Sequence, residues 1–209
     1  MTLLPTKRRH GFTLIEMLVV ITIIVVLVGL AFPAFQGVQN SARKTQAKND
    51  LLAIVNGVNA YYTEYGKYPL LPTETGDLTF GESNPKTAEL MNVLRANGAV
   101  RDDPNGANLN PRRIVFVQWP AAKDPNKPKS GIGGDGQPYD PWGRTYLVKV
   151  EGNYDNAVGN PYKINTGAGF DPLGFGVIAW SAGKDGVFGP LGADKNSDVN
   201  AKDDILSWQ

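Results

Sequence analysis

Cysteine is absent from this sequence, and histidine occurs once, at His10. Without cysteine the fold has neither disulfides nor thiolate metal sites, so packing or oxygen-ligated ions must hold it together. Beyond the first ten residues the chain offers no Ser-His or Cys-His nucleophile and none of the usual histidine or cysteine zinc ligands. Carboxylate or Ser-Lys chemistry stays open, but no motif indicates it. We therefore predict that the protein is not an enzyme.

Excess charge of one sign is also missing. The chain has 21 Lys and Arg and 20 Asp and Glu, a formal net charge of +1. Three basic residues, Lys7, Arg8 and Arg9, lie in the first ten residues without an acid, and 18 basic against 20 acidic residues remain beyond them. Such a balance does not provide a nucleic-acid-binding surface, and no nucleic-acid partner is expected.

The sequence does contain one long apolar run. No charge occurs from Met17 to Phe35, a length close to the ~20 residues that a helix needs to span a bilayer. A secretory signal has a shorter apolar core followed by a small-residue cleavage site, whereas here the small residue, Gly11, precedes the run. Because the basic cluster lies on the N-terminal side, we predict a cytoplasmic leader and an external remainder.

The segment GFTLIEM at residues 11–17, preceded by a short basic leader, resembles the processing site of type IV pilins and type II secretion pseudopilins. The resemblance implies that a prepilin peptidase cuts between Gly11 and Phe12 and methylates the new N-terminus. Glu16 then becomes the fifth mature residue. The resemblance also implies that copies of the chain assemble into a helical filament, with an inner-membrane assembly platform and minor pseudopilins as further partners.

Glu16 is a single carboxylate at the start of the apolar run, and its own helix offers it no positive partner. A charged side chain in a membrane helix costs roughly 2.5–3.5 kcal/mol, so we expect its partner to come from elsewhere. The resemblance implies that the partner is the free amine of Phe12 in a neighbouring copy, a pair that sets the axial register of subunits. In the alternative, Glu16 lies at headgroup level without a partner.

Gly29, Pro33 and Gly37 interrupt the apolar helix at intervals of four residues. Each weakens the backbone hydrogen bonding, and proline in a helix interior costs ~3 kcal/mol. Pro33 would be the twenty-second mature residue, and the resemblance implies that the helix around it unwinds in the filament. A static kink is the alternative.

Beyond a polar stretch the helix is predicted to continue to Tyr65. Apolar residues at spacings of four and three define one helical face there: Leu51, Val55, Val58, Tyr62 and Tyr65. Leu52, Ile54 and Tyr61 flank that face. Gly66 and Pro69 indicate the end of the helix. We predict that this face forms the centre of the core.

A second helix is predicted from Asn84 as N-cap and Pro85 as first helical residue to a stop at Gly98. Its apolar set is Leu90, Met91, Val93 and Leu94. Residues 114–119, 145–150 and 175–180 have the composition of strands. The predicted fold class is α+β. Its long N-terminal helix spans the membrane in its first half and packs, in its amphipathic second half, on a small antiparallel sheet with long C-terminal loops.

These patterns predict a cleaved leader (1–11), a transmembrane and assembly helix (12–35) and a periplasmic globular head (36–209). One motif within the head is discounted. Gly131, Gly133 and Gly136 match G-x-G-x-x-G, but that dinucleotide motif needs a strand before it and a helix after it. Prolines precede and follow it, so we predict a flexible loop without a nucleotide.

Three further motifs, DPWG at 140–143, WSAGKDGVFG at 180–189 and DDILSW at 203–208, resemble the head of the major pseudopilin of type II secretion, whose last loops bind calcium. Ca²⁺ takes six to eight oxygen ligands from carboxylates and carbonyls. The resemblance implies ligation by the side chains of Asp185, Asp203 and Asp204 and by the backbone carbonyls of Ala182 and Val187.

An insertion, PLGADKNSDVNAK at residues 190–202, separates the two halves of that pattern. It adds Asp194, Asn196 and Asp198 as possible alternative ligands. The insertion is not an EF-hand, because Val199 occupies the position of the required glycine and Ile205 that of the twelfth-position acid. A solvated acidic loop without an ion is the alternative.

From these features we predict a structural subunit of the pseudopilus of a type II secretion system. It would be anchored in the bacterial inner membrane by a single pass and assembled into a periplasmic or extracellular filament that drives protein export. A type IV pilus subunit for adhesion, motility or DNA uptake is the first alternative. A membrane-anchored soluble domain with binding or carboxylate chemistry is the second.

Overall fold

The computed structural model describes residues 11–83, 86–97 and 108–209, with the backbone but not the side chains of residues 31–34. The chain divides into a unit that ends at Ser41 and a compact unit Ala42–Gln209. The first helix, α1 (Leu14–Tyr65), contributes residues to both units. Within the part of the chain described, α1 is the one helix long and apolar enough to cross a membrane.

In the first unit the side chains of α1 have no core to enter. Every side chain from Gly11 to Leu30 is exposed. The backbone is helical through Gly29, Pro33 and Gly37. Unwinding around Pro33 within a filament therefore stays a prediction. The apolar surface of this stretch is the kind that a bilayer or neighbouring helices cover.

In the second unit α1 does supply the centre of the core, but the buried face differs from the predicted one. The fully buried residues on this part of the helix are Ala47, Leu51, Ile54, Val58 and Tyr61. Val55 and Tyr65 are half-buried, and Tyr62 is 39% exposed. The prediction that Val55 and Tyr62 lie at the centre of the face was therefore wrong.

A close contact between Val117 and α1 explains which face of the helix is buried. Val117 contacts α1 at Gly57, where a Cβ atom would collide with the Val117 side chain. Since glycine has no Cβ, the segment that contains Val117 can lie directly against the helix there. The neighbouring Val58 and Tyr61 are buried with it.

The head contains a four-stranded antiparallel sheet with the order β1-β4-β5-β6. Its strands are β1 (Leu78–Phe80), β4 (Leu147–Val150), β5 (Val177–Ser181) and β6 (Ile205–Leu206). Leu147 pairs with Trp180 and Val150 with Val177, which fixes the register of the central pair. The predicted strands at 145–150 and 175–180 are confirmed as β4 and β5, whereas β1 and β6 were not predicted.

Strand β5 is buried along its whole length, because both faces of the sheet are covered. Its residues Val177 and Ala179 lie in the larger core with α1, while Ile178 and Trp180 lie in a second core. That second core is built by the C-terminal loops. Trp180 and Trp208 meet edge to face there, with 6.2 Å between ring centroids.

The second helix, α2 (Thr87–Leu94), is shorter than predicted. Its N-cap is Lys86, whose backbone N–H donates to Glu89 Oε1 over 3.1 Å. The predicted start at Asn84 and Pro85 is therefore wrong by two residues, and those two residues, like Gly98, lie outside the described part of the chain. The four predicted apolar residues of the helix are all buried.

Residues 114–119 have no regular secondary structure and do not join a sheet, so the strand predicted there is wrong. The amides of Phe116 and Val117 donate to the carbonyl of Leu94 at the end of α2. The Asn110 side chain donates to the carbonyl of Ile114 and accepts from its amide. These partners replace those of a neighbouring strand.

The G-x-G-x-x-G segment forms a hairpin rather than a flexible loop. Strands β2 (Gly131–Ile132) and β3 (Pro138–Tyr139) pair antiparallel, and the Gly136 amide donates to the Gly133 carbonyl in the turn. A strand, not a helix, follows the glycines. The hairpin at residues 131–139 therefore does not provide the helix N-terminus that a dinucleotide site requires.

Candidate functional site

At the start of α1, Glu16 is held by Thr13. Its Oε2 accepts from the Thr13 backbone N–H over 2.7 Å and from Thr13 Oγ1 over 2.8 Å. The Glu16 amide in turn donates to Thr13 Oγ1 over 3.3 Å. This reciprocal arrangement is a capping box, which satisfies free donors at a helix start. The T-x-x-E spacing at residues 13–16 is its sequence signal.

Glu16 therefore has partners in its own helix, although none of them is positive. No Lys or Arg occurs between Gly11 and Ser41. The capping hydrogen bonds and the positive end of the helix dipole stabilise the carboxylate. No basic side chain in this stretch neutralises its charge. Gly11 and Phe12, which precede the box, are exposed, and cleavage between them stays a prediction.

In the C-terminal loops the three predicted calcium carboxylates have separate partners. Asp203 Oδ2 accepts from the backbone N–H groups of Lys184 and Asp185 over 2.7 and 3.0 Å. The Asp185 carboxylate is exposed and accepts from the Val187 amide over 2.8 Å. Asp203 thus joins the 180–189 loop to the C-terminal segment, while Asp185 closes a local turn.

Asp204 is buried and belongs to a different network. Its Oδ2 accepts from the Tyr162 hydroxyl over 2.6 Å and from the Gly189 amide over 3.0 Å. Its Oδ1 is buried and has no hydrogen-bond partner among the described residues. Burial raises the pKa of Asp204 to about 6, against the opposing effects of its hydrogen bonds and of Lys195.

The carboxylates of the insertion stabilise turns. Asp194 Oδ1 accepts from the amides of Asn196 and Ser197, and Asp198 Oδ1 accepts from the amides of Asn200 and Ala201. Side chains that bond their own backbone two or three residues on are typical of Asx turns. These bonds order the turns of the insertion through its own backbone.

The donor set does not fit a calcium ion as it stands. Calcium needs several carboxylate oxygens converging on one point. Within residues 11–83, 86–97 and 108–209, no group of three or more His, Cys, Asp or Glu side chains is placed to hold a metal. Ala182 is buried and Val187 is 44% exposed. Calcium binding through Asp185, Asp203 and Asp204 stays a prediction that this geometry does not support.

Sequence analysis missed a buried carboxylate in the DPWG turn. Asp140 is fully buried, and its Oδ1 accepts from the amides of Trp142, Gly143 and Arg144 over 2.8–2.9 Å. The Ser181 hydroxyl donates to its Oδ2 over 2.6 Å. Burial raises the pKa of Asp140, and these bonds oppose the shift. The side chain joins the turn to β5.

Lys48 on α1 was also missed. Its Nζ donates to the carbonyls of Leu206 over 2.7 Å and Ser207 over 3.1 Å, and also to that of Gln209. Burial lowers the pKa of this amine. A lysine at helical spacing beside an apolar stripe gives no sequence signal for such a contact, because the carbonyls it binds lie at the far end of the chain.

Comparison with known proteins finds a family match at the N-terminal segment that contains the capping box. Residues 6–32 match the family described as the prokaryotic N-terminal methylation motif. Type II secretion system core protein G of Aeromonas hydrophila is 30% identical over 109 residues, which cover 52% of this chain and 74% of that protein. The chain belongs to the family of type IV pilins and type II secretion pseudopilins. Members of this family are structural proteins, processed at this motif and assembled into filaments.

Other relatives come from both branches of the family. Core protein G of Klebsiella pneumoniae is 26% identical over 148 residues, covering 71% of this chain and 79% of that protein. A fimbrial protein of Neisseria meningitidis is 32% identical over 102 residues, covering 49% of this chain and 59% of that protein. No solved structure matches significantly.

Proposed function

We propose that this pilin-family chain is the major pseudopilin of a type II secretion system. The observation that carries the proposal is the extent of the similarity to relatives named core protein G. The Klebsiella relative aligns over 148 residues. Since α1 has 52 residues, this similarity extends beyond the N-terminal helix into the head. The similarity to the Neisseria fimbrial protein spans 102 residues. The secretion branch therefore has the broader support.

The proposed mechanism is mechanical. The exposed apolar part of α1 stores the subunit in the inner membrane, with its leader in the cytoplasm and its head in the periplasm. A prepilin peptidase removes the leader after Gly11 and methylates Phe12. An assembly platform then extracts subunits into a filament, together with minor pseudopilins, so that the growing fibre pushes proteins outward.

Within that filament, Glu16 exchanges a local partner for a distant one. The Phe12 amine of a neighbouring copy supplies the positive charge that no residue between Gly11 and Ser41 can supply. A charge pair excluded from water fixes its two partners in register, since leaving one of them unpaired costs several kcal/mol. Unwinding around Pro33 would adjust the helix to that packing.

A type IV pilus subunit remains the second candidate, because the similarity to the Neisseria fimbrial protein reaches 32% identity. The third candidate, a membrane-anchored domain with carboxylate chemistry, has less support. The three buried carboxylates in the described part of the head, Asp140, Glu151 and Asp204, each accept hydrogen bonds within the fold.

The candidates are separated by deleting the gene in its own host and measuring two outputs. A pseudopilin deletion leaves exported proteins in the periplasm while adhesion, surface motility and DNA uptake persist. The opposite result identifies a pilus subunit, and no change in either output points to the anchored domain. Restoration by the unmodified chain but not by Glu16→Ala ties the output to filament assembly.

A further inference from the structure

Residues 182–189 form the loop that follows β5, and Arg144 binds its backbone directly. The Arg144 guanidinium donates from Nε to the Gly186 carbonyl over 2.7 Å. Its Nη1 also lies 3.5 Å from Glu82 Oε1 and forms an ion pair there. A hydrogen bond from a charged donor is stronger than one between neutral groups. The loop therefore has a positive charge of the protein itself at one of its carbonyls.

A second group of contacts with the same loop comes from two carboxylates near the start of β6. Asp203 Oδ2 accepts from the backbone N–H groups of Lys184 and Asp185 over 2.7 and 3.0 Å. Asp204 Oδ2 accepts from the Gly189 amide over 3.0 Å. A cation that bound these oxygens would displace the amides and leave them without an acceptor, which is costly for a folded chain.

The loop also lies directly against the segment that leads into β6. A Cβ atom on Gly183 would collide with the Asp203 backbone carbonyl, and a Cβ on Gly189 would collide with Ala201. Calcium is surrounded by six to eight oxygens at about 2.3–2.6 Å, so an ion with its ligands separates the segments that it joins. At these two contacts the segments already touch.

We infer that protein groups close the 182–189 loop without a metal ion. Arg144 supplies a cation at the Gly186 carbonyl, and Asp203 supplies an anion at two backbone amides. These two side chains are called the loop clamp below. They join the loop to the DPWG turn on one hand and to the segment before β6 on the other.

The loop clamp accounts for the separate partners of the expected calcium ligands. The Asp203 oxygen that faces the loop is occupied by amides, and the Arg144 guanidinium repels a second cation brought to the same loop. The Asp185 carboxylate closes only its own turn, at the Val187 amide over 2.8 Å. Asp185 is therefore dispensable for the closed loop, and the head folds in the same way at any external calcium concentration.

The test is amide hydrogen exchange of the purified full-length chain in detergent, measured by mass spectrometry of its peptides in millimolar calcium and in EDTA. Residues 183–189 of the unmodified chain should exchange equally slowly in both buffers, because the acceptors belong to the protein. Arg144→Met should speed exchange in this stretch by about fivefold, the change that one lost hydrogen bond brings.

Lys184→Met is the matched control, because it removes a positive charge from the same loop without touching the loop clamp. Lys184 is exposed, and its contact with Asp203 is made by its backbone N–H. Its replacement should leave exchange unchanged. Asp203→Ala should speed exchange at residues 183–189 by about tenfold, equally in calcium and in EDTA, since two amides lose their acceptor. Asp185→Ala should change exchange only at Val187.

Three results would overturn the inference: calcium that slows exchange at residues 183–189 of the unmodified chain, equal rates in Arg144→Met and Lys184→Met, or an effect of Asp203→Ala that appears in calcium and not in EDTA. If Asp203→Ala does not fold, the unmodified chain still decides, because a loop that needs calcium would lose its protection in EDTA. These readouts do not involve filament assembly, so their outcome is independent of the proposed function.

Discussion

Residues 14–30 and 47–65 lie in one helix, α1, yet their apolar side chains have opposite surroundings. Ile24 in the first stretch is 51% exposed, whereas Ile54 in the second is fully buried. Burying a Leu, Ile or Val side chain contributes about 1.5–3 kcal/mol. The second stretch gains that free energy within its own chain. The first can gain it only from a bilayer or from neighbouring subunits.

The contrast predicts that the stability of the head and the processing and assembly of the subunit depend on different parts of α1. Substitutions in residues 47–65 should change the stability of the head without changing processing at the N-terminus. Substitutions in residues 11–30 should change processing or assembly without changing the stability of the head. Each prediction below tests one side of that separation.

The largest expected effect is on processing. In a host with a prepilin peptidase, Gly11→Leu should abolish removal of the leader, because a bulky side chain replaces the small residue before the cut. Mass spectrometry of the unmodified chain should find Phe12 at the N-terminus and N-methylated. Gly29→Leu is the control and should be processed normally, since a Cβ at Gly29 meets no neighbouring atom. An intact Met1 on the unmodified chain, or a cut after the apolar helix, would contradict this account.

On the other side of the comparison, adjacent tyrosines should differ strongly. Tyr61 is fully buried and its hydroxyl donates to the Leu109 carbonyl. Tyr61→Ala should lower the free energy of unfolding by about 3–5 kcal/mol. Tyr62 is 39% exposed and stacks on Tyr68, so Tyr62→Ala should cost about 1 kcal/mol. Urea unfolding measures both. Equal losses of unfolding free energy in the two variants would support the helix face predicted from the sequence, which included Tyr62, and contradict the observed one.

Asp140 should be the most sensitive carboxylate of the head. Asp140→Ala leaves three backbone amides and the Ser181 hydroxyl without their acceptor, and we expect a loss of about 3 kcal/mol in urea unfolding. Asp124 makes the same kind of turn on the surface, accepting from the amides of Asn126 and Lys127. Asp124→Ala should cost about 0.5 kcal/mol. A ranking in the reverse order would show that the DPWG turn does not anchor β5.

The smallest expected effect is at the capping box. Thr13→Ala removes the hydroxyl that bonds Glu16, which should cost about 1 kcal/mol at the start of α1. Amide hydrogen exchange in detergent should quicken at residues 14–17 and remain unchanged in the head. Thr22→Ala is the control, because the Thr22 hydroxyl donates to the Leu18 carbonyl within the helix. Equal exchange at residues 14–17 in the two variants would mean that the box does not stabilise the helix start.

Local patterns predicted the elements that local physics determines. The end of α1 at Tyr65 follows from Gly66, which adopts a left-handed conformation with φ of +67°. Strands β4 and β5 follow from their composition. The buried face of α1 did not follow, because Leu51 and Leu52, Ile54 and Val55, and Tyr61 and Tyr62 are adjacent apolar pairs. Two neighbouring faces of α1 therefore have apolar residues at helical spacing. The contact of Val117 with Gly57 determines which of the two faces is buried.

The remaining elements depend on contacts between distant parts of the chain. Strands β1 and β6 have three and two residues, too few for a periodic signal. Residues 114–119 have strand composition, but their amides bond to Leu94 and Asn110 instead of to a strand. Asp140 and Lys195 gave no signal, because burial of a charged side chain is a tertiary property. At the N-terminus, T-x-x-E was sufficient to predict the capping box that sequence analysis overlooked.

The separation of assembly from stability is tested most directly by Glu16→Ala, with filament yield in cells and thermal unfolding of the purified chain measured side by side. The account predicts that the variant is processed and inserts in the membrane at least as well as the unmodified chain. Its head should have an unchanged Tm, and its filament yield should collapse, since the Phe12 amine loses its partner. A normal filament yield would contradict the intersubunit pair, and a lowered Tm would contradict the separation itself.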